Sequence, residues 1–459
     1  MTDRVACRST LSWIDTGWIM LANVVGTSLL TFSYVAAQLG WLPTLMSLVG
    51  ACCLAIYTAH LMSVTFDMLS SRGLDATSMG EVARHTLGGD VAAAVVYTIV
   101  YGYTLLGNAS YVLVLGQSLQ GALFTTGLCL PAAVLASACA CAPLVCSIRS
   151  LRESTALCFA NLVLLVGVVV IVLASVAIRG RESQTGSPAI ADDLSVGSFF
   201  SGFSNILYGY AGHWLYFELM AEMRSPIEFV KVFVVNTPVQ LVTYLLTAGV
   251  AYYFVGSKAG SPGLVEEMPR DAWYQVASAA LFLHVVVVFL VKSVVLTRFL
   301  ALYVAPECVQ GRTIRLRLTY AGLALAMLGM ECVVGLLIPS FSLLLGLIGA
   351  LFAGPISYLF PVLFYVGAVR LSDGDSGSEG LSMAAVPQGS WDGRDSLVSS
   401  AVGWKQLGVA QLAGFALIAA LVAVVAAIGT ASGVVDIAQQ AGSDGPLFAC
   451  KPDPGYRGG

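Results

Sequence analysis

Val24-Val25-Gly26-Thr27-Ser28-Leu29-Leu30 and Tyr208-Gly209-Tyr210-Ala211-Gly212-His213 are the stretches on which the fold of this chain turns. Each sets small residues in the middle of a long apolar run, the first inside 12–38 and the second inside 196–221. An unpaired backbone N–H or C=O is costly in hydrocarbon, so a break in a buried helix persists only where it lines a cavity, a ligand or an ion. Five long apolar segments run from the first break to just before the second, and five more from the second onward. Paired interruptions at matching places in two halves point to the central site of a secondary transporter built from inverted repeats.

Composition supports a chain that lives in lipid. Hydrophobic residues make up 58% of the 459 and charged residues 10%, far below the quarter or so usual for soluble domains. The mean hydropathy is +0.85. A net charge of -4 offers no basic face for nucleic acid. The eleven cysteines do not form a disulfide framework by spacing, and Cys52, Cys53, Cys139, Cys141, Cys158 and Cys332 read as small buried hydrophobes. Cys139-Ala140-Cys141 with Cys146 has no neighbouring His or carboxylate, so neither a metal site nor another cofactor is expected. Met1 to Thr10 is polar and lacks a small-residue cleavage site, which reads as a retained N-terminus and not as a signal peptide.

A span needs about 20 mainly apolar residues. Eleven runs qualify: 12–38, 43–65, 91–118, 126–146, 155–178, 196–221, 230–256, 273–305, 317–338, 342–369 and 404–429. The reading is an all-α polytopic membrane protein. Residues 1–11 form a cytoplasmic N-terminus and 12–369 a ten-helix core, with halves at about 12–178 and 196–369. A Gly-, Ser- and Asp-rich cytoplasmic loop follows at 370–403, flexible by composition, before an eleventh helix at 404–429. Residues 430–459 are a tail on the outer or lumenal side. Orientation rests on the 22 Lys and Arg: with the N-terminus inside, fifteen fall on the cytoplasmic side and six opposite, and Lys292 remains within a helix.

On these residues the chain resembles the amino acid/auxin permease family. Val24 to Leu30, followed by Ala36-Ala37-Gln38-Leu39-Gly40-Trp41, is similar to that family's first helix. Tyr210-Ala211-Gly212-His213, with Glu218 and then Ser225, is similar to the sixth helix of its lysine/histidine-type branch. Gly107 to Leu119, His284, Leu345 to Ala350 and Phe360-Pro361 match in the family's order. The resemblance implies the leucine-transporter-like (APC) fold, with five-helix inverted repeats plus an eleventh helix, and amino acid transport commonly coupled to protons. Two departures stand out. Ser28 replaces the second glycine of the usual break, adding a Cβ and a polar group near the substrate. Sodium-coupled animal relatives carry an Asn where this chain has Ala22, and Asn23 lies about 100° around the helix, which argues against sodium coupling.

Residue by residue, Val25, Gly26, Thr27, Ser28 and Leu29 form a break whose following half-helix offers N–H groups and a positive dipole end to a carboxylate. Tyr208, Gly209, Tyr210, Ala211, Gly212 and His213 offer unwound carbonyls to an ammonium. Together they match an α-amino acid zwitterion without needing a charged side chain. Tyr111, Tyr208 and Tyr210 are candidate walls or gates, with interfacial packing as the plainer alternative. His213 suits proton binding, or else simply holds the break open by a hydrogen bond. Glu218 either gates the inner path by pairing with an arginine such as Arg224 or binds a proton. Lys292 is a charge deep in a span, where charges are costly and usually face the bundle interior. Its ammonium is expected to replace a coupling cation, with Ser293 and Thr297 on the same face and Glu331 as a possible counter-charge.

The function expected is a proton-coupled amino acid carrier in the plasma membrane or a vacuolar or lysosomal membrane. An amino acid sensor of the same fold, with little flux, is the alternative. Paired catalytic groups in facing helices are missing, which disfavours an intramembrane enzyme, and no selectivity filter or charged ring recurs.

Overall fold

The computed structural model describes residues 11–149, 154–180, 186–258, 263–310, 313–338, 340–376, 408–443 and 450. Most of the expected loop at 370–403 and the chain ends lie outside these residues. In order, the helices are α1 (Trp13–Val24), α2 (Phe32–Leu39), α3 (Trp41–Ser70), α4 (Met79–Thr86), α5 (Asp90–Ala122), α6 (Leu130–Ser147), α7 (Ser154–Arg179), α8 (Val196–Gly209) and α9 (Tyr216–Glu222). They continue as α10 (Phe229–Val255), α11 (Ala272–Val304), α12 (Glu307–Gln310), α13 (Ile314–Leu337), α14 (Phe341–Ile348), α15 (Phe360–Ser376), α16 (Val409–Val424) and α17 (Thr430–Ser443). Among the described residues the extended pairing is an isolated bridge between Leu11 and Met223.

Among the described residues nine helical stretches are long and apolar enough to cross a membrane, and the pair α1 and α2, bent by 42°, makes a tenth. The chain is therefore an integral multi-pass membrane protein. Helices α8 and α9, of 14 and 7 residues, are each too short to cross alone at 1.5 Å per residue; they stand where the sixth span was expected. Two of the ends are longer than expected. Helix α15 continues to Ser376, and the last span runs from α16 through a π-helical stretch at Val425–Gly429 into α17.

Helix starts follow local chemistry that is visible in the sequence. Ser12 and Asp15 form a reciprocal capping box at α1, Ser195 and Ser198 another at α8, and Asp271 accepts from the Tyr274 N–H at the start of α11; each satisfies backbone donors that a helix leaves orphaned. Gly40 turns the chain from α2 into α3 with φ +86°. A Cβ there would sit 2.7 Å from the backbone of Ile190 and Ala191, so glycine is required twice, for conformation and for space.

Helix α5 packs against α6, α11 and α13, and α11 also against α7. Helix α10 packs against α1 and α2 of the first broken segment, and α8 of the second packs against α2 and α14. The ends of the broken segments also meet: Leu11 donates to the Glu222 carbonyl and accepts from the Arg224 N–H, at 3.2 and 3.0 Å.

One covalent link was not expected. Cys129, between α5 and α6, is disulfide-bonded to Cys450, 321 residues away. Spacing arguments fail here because the two cysteines belong to no local pattern and only the fold brings them together.

Candidate functional site

The first break begins where α1 stops. Val25 leaves helical geometry at ψ 75° and Gly26 is extended at φ -116° and ψ -147°, after which Thr27–Thr31 form a 3₁₀ turn leading into α2. The opening N–H groups of such a turn have no intrahelical acceptor. The second break lies between α8 and α9. There Ala211 N–H bonds the Tyr208 carbonyl and Gly212 N–H the Tyr210 carbonyl, in tight turns at 3.0 and 2.9 Å.

The two breaks are pressed together, running in opposite directions. A Cβ on Gly212 would lie 2.4 Å from Val24 Cγ2, and one on Gly209 would lie 2.7 Å from Phe32 Cζ. The second break therefore contacts both halves of the first, and only glycine allows this approach. Tyr244 of α10 fastens the junction. Its hydroxyl donates to the Gly209 carbonyl at 2.6 Å, with the Val24 carbonyl at 3.2 Å sharing the hydrogen. Its ring packs edge-on to Phe32 and Tyr210. Tyr103 Oη likewise donates to the Ala211 carbonyl at 3.2 Å. So two of the carbonyls expected to receive a substrate ammonium already accept from tyrosines. Tyr244→Phe leaves a buried carbonyl with its donor gone, a loss of about 1–3 kcal/mol; a lowered thermal midpoint with unchanged oligomeric state in detergent checks this.

Where the breaks meet lies a cavity of about 10 Å³, lined by Asn23, Val24, Gly26, Ser28, Tyr103, Tyr111, Tyr208, Ala211 and Lys292. That is space for about one water molecule. Tyr103, Gly107 and Tyr111 follow one another at four-residue intervals and so share one face of α5. Lys292 of α11, 2% exposed, reaches over that face. Its Nζ donates to Tyr111 Oη at 3.0 Å and stands 4.6 Å from the Tyr111 ring centre and 5.7 Å from that of Tyr103. Both faces attract a cation through their π-electrons. Tyr208 Oη is buried without a hydrogen-bond partner among the described residues. It and Lys292 Nζ fall 3.6 and 3.7 Å from where Gly107 would carry a Cβ. The lining thus holds one cation, three phenols and the opened backbone of both breaks.

Of the residues singled out in the sequence, Gly26, Ser28, Tyr111, Tyr208, Ala211 and Lys292 line this cavity. Val25, Leu29 and Tyr210 are buried in the adjoining apolar cluster, and Gly209 and Gly212 sit at the junction. Of Thr27 only the backbone is described. His213 faces α3: Nε2 lies 3.0 Å from Thr58 Oγ1 and 3.3 Å from the Ala55 carbonyl. Thr58 Oγ1 itself donates to the Leu54 carbonyl at 2.9 Å, so its lone pair receives the Nε2 hydrogen. His213 holds the break against α3 and does not face the cavity.

The remaining expectations divide similarly. The charges that reach Glu218 are Glu222, in its own helix, and Arg298 of α11, and Arg224 is not among them. Ser293 Oγ accepts from Asn108 Nδ2 at 3.1 Å. Thr297 is 1% exposed, with its hydroxyl unpartnered among the described residues. Glu331 is not the counter-charge of Lys292; it accepts from Asn108 Nδ2 at 3.0 Å. Tyr103, Tyr244 and Asn108 were not anticipated. Tyr103 had one signal, its four-residue spacing from Gly107 and Tyr111; Asn108 lies within the matching Gly107 to Leu119 passage but was not picked out there, and nothing in the sequence marks Tyr244.

A larger cavity, of about 430 Å³, lies between α3, α10, α15 and α16, with Tyr57, His60, Asp67 and Arg72 in its wall. It contains no residue of either break.

The family described as transmembrane amino acid transporter protein matches residues 9–373, a stretch that holds both breaks, Tyr111 and Lys292. A relative in Neurospora crassa, named N amino acid transport system protein, is 26% identical over 390 residues, which cover 81% of this chain and 78% of the relative.

Proposed function

The chain belongs to the transmembrane amino acid transporter family, and from that premise we propose that it is a proton-coupled secondary carrier of amino acids that works by alternating access. Its two breaks form the substrate site of a leucine-transporter-like core with five-helix inverted repeats and an additional eleventh helix. The observation that carries this reading is the meeting of both breaks at one buried cavity lined by a single ammonium. A zwitterion fits that chemistry. Its carboxylate takes the N–H groups after Gly26, the Tyr111 hydroxyl and the Lys292 ammonium, which gathers charge-assisted hydrogen bonds on one group. Its ammonium takes free lone pairs of the opened carbonyls.

Two further features support the mechanism. The broken segments run antiparallel, since Leu11 meets Met223, Val24 meets Gly212 and Phe32 meets Gly209, as inversion requires. A cavity of about 10 Å³ admits an amino acid only when the surrounding helices separate, as an occluded step between two open states demands. Lys292 supplies the positive charge that a sodium ion would otherwise bring, so uptake is expected to be unchanged when choline replaces sodium; complete loss of uptake would sink this assignment.

The disulfide supports the orientation. With α8 and α9 taken together as one broken span, eight spans separate Cys129 from Cys450 and three precede Cys129, so the bond's two ends share a side opposite the N-terminus. Disulfides persist in oxidising compartments, which makes that side extracellular or lumenal and the N-terminus cytoplasmic. A membrane-impermeant maleimide is expected to label Cys129 and Cys450 from that side only after reduction. Labelling from the cytoplasmic side would reverse the topology.

Uptake of a panel of labelled amino acids into proteoliposomes, with and without an inward proton gradient, tests the function. Saturable uptake accelerated by the gradient is the expected result. Binding without flux would make the protein a sensor.

A further inference from the structure

Resting on the coupled transport proposed above, we infer that Glu331 is the residue that carries the coupled proton, and that Asn108 links it to the substrate site. Glu331 is 1% exposed in the last third of α13. Its neighbours Met330 and Val333 are 40% and 54% exposed, so the lipid-facing side of α13 is the other one. Its carboxyl group points into the bundle and joins no ion pair among the described residues. A buried carboxylate without a cation is costly, and a carboxyl group in that position keeps its proton instead. Intramembrane ionisable groups in bundle interiors mark proton and ion pathways.

The placement connects this group to the site. Asn108 Nδ2 donates both to Glu331 Oε1, at 3.0 Å, and to Ser293 Oγ, at 3.1 Å. Asn108 follows Gly107, over which Lys292 Nζ and Tyr208 Oη stand, and Ser293 follows Lys292. One residue on each of α5 and α11 therefore separates the carboxyl group from the substrate-binding face. The titratable group beside it on α13 is the Cys332 thiol, which in turn feels Cys139 and Cys141 of α6. From α5 come the phenols Tyr103 and Tyr111, and from α11 the Lys292 ammonium, which is not within ion-pair distance. Helix α12 packs at Tyr320, about three turns away. When the proton leaves for water on the inner side, an O–H bond breaks and a carboxylate remains. That carboxylate draws Asn108 more strongly, away from Ser293, and so shifts α5 against α11 beside Lys292. Taking up a proton from the outer side restores the starting pairing. No electrons change hands.

The test uses the full chain in proteoliposomes enclosing a pH-sensitive dye. For Glu331→Gln, which preserves shape and the Asn108 contact, amino acid exchange is expected to continue. Gradient-driven accumulation and substrate-induced proton influx are expected to be lost. Retention of both in this variant overturns the assignment. Where Glu331→Gln does not yield folded protein, Glu331→Asp decides: coupling with a displaced pH midpoint supports the assignment, and coupling with the wild-type midpoint overturns it. Wild-type exchange without any proton influx refutes the coupling itself, and with it this role. Absence of wild-type exchange refutes the transport reading from which both follow.

Discussion

Lys292→Met is expected to abolish most amino acid uptake while leaving the protein at least as stable as wild type. The ammonium is buried at 2% exposure and makes one hydrogen bond, to Tyr111, with two aromatic faces beside it. It has no carboxylate partner among the described residues. Burying a cation on such terms opposes folding, and replacing it by an apolar side chain of similar length removes that penalty. Its loss is felt only when a carboxylate is bound. A charge-assisted hydrogen bond contributes about 1.5–3 kcal/mol, so uptake efficiency falls about 10- to 100-fold. The informative result is the combination of lost transport with an unchanged or raised thermal midpoint, a trade common at functional sites. A structural lysine would show the reverse. If Lys292→Met unfolds the protein while its residual folded fraction transports normally, the lysine serves packing and the carboxylate is held elsewhere.

Gly212→Ala is the second change expected to have a large effect. The new methyl group would stand 2.4 Å from Val24 Cγ2 and 3.0 Å from Tyr216 Oη. Valine is short and stiff at χ1, so it cannot swing aside, and the two broken segments must separate. Overpacking of this kind costs about 1–3 kcal/mol. Because the breaks also frame the cavity, uptake falls along with the thermal midpoint. Val24→Ala supplies the missing space and is expected to restore much of the loss in the double variant, with a coupling energy of about 1 kcal/mol or more. Simple additivity of the two single changes would mean that the breaks do not touch as described.

Much of this anatomy is legible from sequence, for a physical reason. A break in an apolar run is a local event that composition exposes directly, and so is a lysine at the centre of a span. Gly26, Ser28, Ala211 and Lys292 are visible on those grounds, and the capping residues Ser12, Ser195 and Asp271 mark helix starts by chemistry confined to one turn. Tyr244 and Asn108 are different. A tyrosine in a span reads equally well as packing, and an asparagine on an apolar helix says nothing about its partner. Tyr244 reaches a carbonyl 220 residues away, and Asn108 bridges to positions 185 and 223 residues away. No periodicity encodes such contacts. The Cys129–Cys450 bond is hidden for the same reason. His213 teaches a further limit: its place beside the break is evident from sequence, but the direction in which the ring turns depends on Thr58 and Ala55 of α3.

The most direct single measurement is a structure of the protein determined with a transported amino acid bound. Substrate density between Gly26–Ser28 and Ala211, its carboxylate toward Tyr111 and Lys292 and the cavity enlarged around it, is the predicted result. Density in the cavity beside Tyr57, His60 and Asp67, with the two breaks still closed on each other, would contradict the central claim.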